Sequence, residues 1–435
     1  MDSYKYLFDI ALILLSTKFL GLITRKVHMP QVVGALLAGL IFGPAALNIL
    51  KETDFIDELA ELGVIMLMFC AGLETDMNEL KKSGKASFVI ALIGVVVPLA
   101  GGFGVAAIFN RPGMIESDAS CPAVLQNVFI GVILTATSVS ITVETLKELG
   151  KLKTRSGNAI LGAAIIDDVL GIVALTVITS LADSSVNVWI VLLKIVLYFV
   201  FAGVIGIIFY KLYNKWTNRT KKGLHRYSIV AFVFCLLMSY VAEEFFGVAD
   251  ITGAFIAGLI ISKTQKSRYL ASRFDTVSYL FLSPIFFASI GIKVQLPHMT
   301  AMIVLFSVIL VVVAILSKVV GCGLGAKMMG YKNYQCARIG VGMISRGEVA
   351  LIVASKGSQL GLLGSEFLGP VVLVVIITTI ITPILLKPVF KMKPTVIMPE
   401  AGFSKPFEEI EQIHEHEAAH QEAIEAQSTD ESKTE

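Results

Sequence analysis

Between Ile160 and Val177 the chain reads ILGAAIIDDVLGIVALTV, an apolar run whose only charges are the adjacent aspartates Asp167 and Asp168. A helix crosses the hydrocarbon core of a bilayer with roughly 20 mostly apolar residues, so the run has the length of a membrane span. An ionised carboxylate at mid-membrane costs about 2.5 to 3.5 kcal/mol on insertion scales. Two side by side therefore need partners or a task.

The rest of the chain has the same character. Of its 435 residues 55% are hydrophobic and 16% charged, and the mean hydropathy is +0.78. That balance excludes an ordinary soluble domain and marks an all-α polytopic membrane protein, with the lipid bilayer as a partner and no nucleic acid expected. The five cysteines form no CxxC, and four lie in apolar stretches, which predicts small packing residues and neither a disulfide framework nor a metal cluster. The N-terminus lacks a basic segment with a small-residue cleavage site, so its apolar stretch reads as a retained helix.

Breaks at charged or Gly/Pro clusters divide the chain into thirteen expected transmembrane helices, at about 4–23, 30–49, 56–73, 86–109, 123–145, 156–182, 187–213, 227–246, 249–262, 274–292, 299–328, 335–358 and 366–389. Basic loops alternate in step with this count. One side receives Arg25, Lys26, Lys81, Lys82, Lys85, Lys147, Lys151, Lys153, Arg155, the cluster from Lys211 to Arg226, Lys263, Lys266, Arg268, Arg273, Lys327, Lys332, Lys387, Lys391 and Lys393. The other receives only Lys5, Lys51, Arg111, Lys293 and Lys356. Basic loops stay in the cytoplasm, which puts the N-terminus outside and the C-terminus inside a cell membrane and requires an odd number of spans.

An internal repeat is visible. Residues 34–41 read GALLAGLI and residues 253–260 read GAFIAGLI, and Gly72 and Gly291 in the following helices share the same offset of 219. Helices 2 and 9 are seven spans apart, so the copies run in opposite directions. The expected plan is an inverted repeat of five helices, 2–6 against 9–13, with a site at the repeat interface, as in secondary transporters.

Helices 5 and 12 hold equivalent places in the two repeats and carry the least helical sequence. Leu134 to Thr142 reads LTATSVSIT, and Gly342 to Ala350 reads GMISRGEVA. Hydroxyls and glycine suit unwound segments whose freed backbone groups line a polar cavity. Arg346 and Glu348 then offer compensating charge at the broken ends. Lys318, in AILSKVVGCGLG, reads as the remaining deep charge and needs a carboxylate. Adjacent residues on a helix point about 100° apart, so one aspartate pairs with Lys318 while the other faces the cavity. Burial raises carboxylate pKa values and lowers those of lysines, which suits proton exchange. Hard oxygen ligands suit Na⁺ better than a soft metal. The only metal expected is thus the cargo ion at one of the two aspartates, with no cofactor and no enzymatic chemistry.

Taken together, GALLAGLIFGP (34–44), FCAGLETD (69–76), TATSVSITVETLKELG (135–150), AIIDDVLGI (164–172), LSKVVG (316–321) and SRGEVALIVA (345–354) resemble the second family of monovalent cation–proton antiporters. This branch includes NapA- and GerN-type Na⁺/H⁺ antiporters and the Kef potassium-efflux systems, and the likeness covers nearly all of residues 4–390. The resemblance implies an NhaA/NapA-like fold and a homodimer. It also implies a transmembrane domain over 1–393, with a mobile core of helices at about 86–182 and 299–389, a dimer domain from the rest, and elevator-like alternating access around crossed discontinuous helices 5 and 12. Asp168 would be the ion-binding carboxylate and Asp167 the partner of Lys318. Thr137 and Ser138 would match one unwound crossing segment, and Arg346 and Glu348 its counterpart. DD with Lys implies electrogenic exchange of two protons per cation, in the service of pH homeostasis. Kef-like members have QD here and a nucleotide-binding domain after the last helix, neither of which is expected in this chain. Na⁺, Li⁺ and K⁺ are not told apart by any motif, and a K⁺/H⁺ antiporter stays open, as do, less favoured, a passive cation channel and a membrane sensor. The acidic segment 394–435, with His414, His416 and His420, reads as a solvated cytoplasmic tail, or alternatively as a divalent-metal or pH-sensing site.

Overall fold

A computed structural model describes residues 4–26, 29–75, 77–111, 113–115, 117–119, 121–182, 188–219, 224–264, 266–293 and 300–392. The acidic tail and its histidines lie outside these. Among the described residues there is no strand. An apolar chain without water must satisfy every N–H and C=O within its own segment, and the α-helix does so.

Sixteen helices follow in chain order. They are α1 (Lys5–Lys26), α2 (Gln31–Phe42), α3 (Asp54–Glu74), α4 (Met77–Phe109), α5 (Ala123–Ile133), α6 (Val139–Glu148), α7 (Arg155–Ala182), α8 (Val188–Arg219), α9 (Leu224–Phe246), α10 (Asp250–Ile261), α11 (Ser267–Val277), α12 (Ser283–Ile292), α13 (Ala301–Met328), α14 (Asn333–Gly342), α15 (Glu348–Gln359) and α16 (Leu368–Lys391). A π-helical turn, Ser278–Leu282, joins α11 to α12, and a 3₁₀ turn, Ser365–Phe367, leads into α16. Eight of these segments are long and apolar enough to cross a membrane, and Gln31–Phe42, Ala123–Ile133 and Asp250–Ile261 are shorter apolar helices.

Several ends depart from the expected spans. The second helix stops at Phe42 and not at 49, because Gly43 turns extended (φ −77°, ψ −175°) and Pro44 has no N–H to continue the ladder. The fourth begins at Met77 and not at 86, since MNELKKSGK contains good helix formers that prolong it past the apolar band. The tenth begins at Ser267 and not at 274, carried through by the π turn.

α4 packs along α13 and α7, while α3 packs on α10, α2 on α1 and α12, and α9 on α10. Two crossings show why glycine recurs at the offset of 219. A Cβ added at Gly39 would lie 1.9 Å from the carbonyl oxygen of Ala288, and one at Gly291 would lie 2.5 Å from the amide nitrogen of Leu40. At the other crossing, Cβ atoms at Gly72 and Gly258 would lie 2.3 Å from the carbonyl oxygens of Phe255 and Phe69. So α2 meets α12 as α10 meets α3, with the two halves of the chain exchanged. The relation reaches one helix further than the five-helix repeat predicts. Gly34 abuts the backbone of Leu20 and Gly21 in α1, and Gly253 abuts Met238 and Ser239 in α9. In lipid, such backbone-to-backbone approach supplies the dispersion contacts that hydrophobic burial supplies in water.

Candidate ion-binding site

Two helices break where hydroxyls and glycine accumulate. Between α5 and α6 the chain is unwound over residues 134–138, and between α14 and α15 over 343–347. The breaks satisfy each other. The amide of Ser138 donates to the carbonyl of Ser345 (2.7 Å), and the hydroxyl of Ser345 donates back to the carbonyl of Ser138 (2.9 Å). The Thr142 hydroxyl lies 2.8 Å from both the Gly342 carbonyl and the Ser345 hydroxyl.

Arg346 sits in this crossing with no solvent exposure. Its guanidinium donates to the carbonyls of Ile344 (2.7 Å), Leu134 (2.8 Å) and Ala314 (3.0 Å). Leu134 caps the C-terminus of α5 and Ile344 follows that of α14, so one positive charge meets the negative ends of two half-helices. Glu348 opens α15, where a helix N-terminus favours an acidic residue, but its side chain lies outside the described residues.

Three threonines on α16 complete the crossing and were not anticipated. Thr378 accepts from the amide of Arg346 at 3.3 Å, and Thr379 donates to the carbonyl of Arg346. Thr382 is fully buried one turn on. The signal available was TTIIT (378–382) inside an otherwise apolar helix.

α7 carries the two aspartates past this crossing. Asp167 is 2% exposed and Lys318, on α13, is 0% exposed. The ammonium donates to both carboxylate oxygens, at 3.0 and 3.1 Å, across 151 residues of sequence. Desolvating two charges is costly, and the bidentate geometry offsets it. Both aspartates border a cavity of about 590 Å³ that Thr135, Ala136, Gly171, Asp57, Asp250 and Lys293 also line. Within the pair Asp167 is buried against Lys318 and Asp168 is the more exposed carboxylate.

The cavity takes different residues of the break from those predicted. Thr135 and Ala136 line it. Thr137 is buried near the Asp167 carboxylate without a well-aligned hydrogen bond, and Ser138 is committed to Ser345 and, at 3.2 Å, to Ser140. Two further charges are buried nearer helix ends: Arg338, 1% exposed, donates to the carbonyls of Val389 and Phe390 at the end of α16, and Asp9 of α1 is 3% exposed. No group of three or more His, Cys, Asp or Glu residues among the described residues is arranged to hold a metal.

Comparison with known proteins follows the same lines. The family model described as sodium/hydrogen exchanger, transmembrane, matches residues 11–392. The chain is 39% identical over 392 residues to the Na⁺/H⁺-K⁺ antiporter GerN of Bacillus cereus, covering 90% of this chain and 98% of that protein. It is 34% identical over 385 residues to the Na⁺/H⁺ antiporter of Enterococcus hirae, covering 87% and 96%. Its fold is similar to that of the sodium proton antiporter MjNhaP1 of Methanocaldococcus jannaschii solved at pH 8, with a TM-score of 0.63 at 19% identity over 88% of this chain and 96% of that one.

Proposed function

The chain belongs to the sodium/hydrogen exchanger family, and from that premise we propose that it exchanges Na⁺ for protons by alternating access at Asp168. It is a multi-pass membrane protein of a family of transporters. The observation that carries the proposal is the difference between the two aspartates that α7 brings to the cavity: Asp167 is buried and held by Lys318, and Asp168 is partly exposed.

Asp168 takes either Na⁺ or a proton, so the two ions compete for one carboxylate. With Asp168 protonated and Asp167 paired with ammonium, the site is neutral. Na⁺ brings Asp168 to its charged form and draws Asp167 away from Lys318, which gives up its proton. Counting two carboxylates, one Na⁺ and a neutral lysine, the cation-loaded site carries one net negative charge. The loaded states differ by one charge, and exchange is electrogenic at two protons per cation. At 100 mV each charge moved is worth about 2.3 kcal/mol, which drives Na⁺ out against its gradient.

Joining α5 with α6, α11 with α12 and α14 with α15 gives thirteen passes, an odd number that agrees with the basic loops and supports an N-terminus outside, a cytoplasmic C-terminus and a cavity open to the outside. The core is built from α4–α7 and α13–α16 and moves against the remaining helices in an elevator-like step. The apolar stripe of α8 at Leu193, Val196, Val200, Val204 and Ile207 suits a homodimer contact within the bilayer. A second reading, K⁺/H⁺ exchange, is favoured by the name of GerN, a Na⁺/H⁺-K⁺ antiporter.

Proteoliposomes with a preset ΔpH test the proposal. Added Na⁺ should collapse the gradient, Asp168→Asn should abolish the collapse, and clamping the voltage at zero should speed it. Full exchange by Asp168→Asn would reject the site, and faster collapse with K⁺ than with Na⁺ would select the second reading.

A further inference from the structure

At the end of α6 opposite the cavity mouth, two consecutive side chains reach across to helices of the other group. Lys147 pairs with Glu74 at the end of α3 (3.6 Å) and with Asp275 of α11. Glu148 accepts the amide of Gln31, the first residue of α2, with both carboxylate oxygens at 2.8 Å. α6 continues directly from the unwound residues that cross Arg346 and flank Asp168, whereas α2, α3 and α11 lie in the half that the elevator step leaves in place. At the Asp57 end the same two groups are parted by the cavity.

The ties differ in shielding: Asp275 is 45% exposed and Glu148 is exposed, while the Lys147–Glu74 contact is partly shielded. Lys147 and Glu74 are only 22% and 23% exposed, so water screens them less than two solvated side chains. Lys147 also lies in the field of Glu144 on its own helix, which places one ammonium among three carboxylates. Without it, acidic groups on α6 would face acidic groups on α3 and α11. Glu148 sits at the N-terminus of α2, where backbone N–H groups favour a negative charge.

We infer that Lys147 and Glu148 are a latch that holds the α6 end shut and the Asp57 end open, and that every transport cycle must release it. The inference rests on the proposed alternating access. A carrier that cycles keeps its two states close in free energy, so a few lost contacts on one side move the population measurably.

External labelling of the cavity reads this population without any transport. Leu175, two turns from Asp168 on α7, lines the cavity. The full chain carrying Leu175→Cys, with the half-buried native thiol removed by Cys121→Ser, is treated in right-side-out vesicles with a membrane-impermeant thiol reagent. Lys147→Gln and Glu148→Gln should each slow labelling by about threefold or more, as the open state loses population. Lys147→Arg, which keeps a cation between Glu74 and Asp275, should stay within about twofold of the parent. Parental rates in both glutamine variants would overturn the latch. If the glutamine variants do not reach the membrane, Asp275→Asn, which removes one partner of Lys147, decides instead: labelling slowed by about twofold or more upholds the latch and a parental rate overturns it. A chain that labels as expected yet exchanges no cation would sink the transport proposal and leave the latch standing.

Discussion

Lys318 and Asp167 stabilise each other only as a pair. Removing one partner of a buried ion pair leaves a lone charge in a dry site, at a cost of about 3 to 5 kcal/mol, whereas replacing both by apolar residues of similar volume is near neutral. Lys318→Ala should therefore lower the unfolding temperature in detergent sharply, and Lys318→Met with Asp167→Leu should recover most of the loss while remaining inactive. Equal destabilisation by both would mean that the lone buried charge is not the source of the loss. These residues were legible in the sequence because a charge in an apolar run is costly and demands an answer. The threonines of α16 were not, since a threonine in a helix ordinarily bonds its own preceding turn. Thr378 and Thr382 do that as well, at 2.7 Å to the carbonyls of Val374 and Thr378, and nothing in the residue type separates that use from the reach to Arg346.

At the scale of elements, the broken helices depend on borrowed hydrogen bonds. Thr379→Val leaves the Arg346 carbonyl unsatisfied in a buried site and should cost about 1 to 3 kcal/mol, with Thr379→Ser close to wild type. Thermal unfolding of both variants checks this. Helix crossings give a second prediction. Gly258→Ala forces a backbone shift against Phe69 and should cost about 1 to 3 kcal/mol, while Gly104→Ala in α4, with open space around it, should be neutral or stabilising. A loop gives a third. Asp118 accepts from the amide (2.9 Å) and hydroxyl (2.7 Å) of Ser365, and these bonds hold its carboxyl below its ordinary value of 3.8. A depressed carboxylate contributes above its unfolded pKa and loses that contribution as pH falls through the folded value. Hydrogen exchange at the Ser365 amide should thus stay protected from neutral pH down to pH 3.8 and lose protection only below it, and Asp118→Asn should weaken protection throughout. Breaks in helices were foreseeable from Ser/Thr and glycine content. Their ends were less so, because the stop at Phe42 and the π turn at Ser278–Leu282 are decided by local backbone geometry and by neighbours far away in sequence.

For the whole molecule, the offset of 219 seen in two short glycine motifs turns out to govern how the halves pack, down to reciprocal glycine contacts. Repetition was readable because close crossings accept few residues. Which end of the molecule is closed was not readable, since Lys147, Glu148, Glu74 and Asp275 look like ordinary loop-facing charges until the fold brings them together. A transporter built this way needs one site that two ions cannot occupy at once. The direct measurement is Na⁺ binding to the purified protein by calorimetry across a pH series, in buffers of different ionisation enthalpy. Competition at Asp168 with loss of the Lys318 proton predicts that binding releases protons and that affinity weakens by about tenfold per pH unit while Asp168 is ionised and by up to about a hundredfold once Asp168 is mostly protonated. Asp168→Asn should then show neither binding nor release. Na⁺ affinity that is independent of pH, with no proton released, would contradict the account.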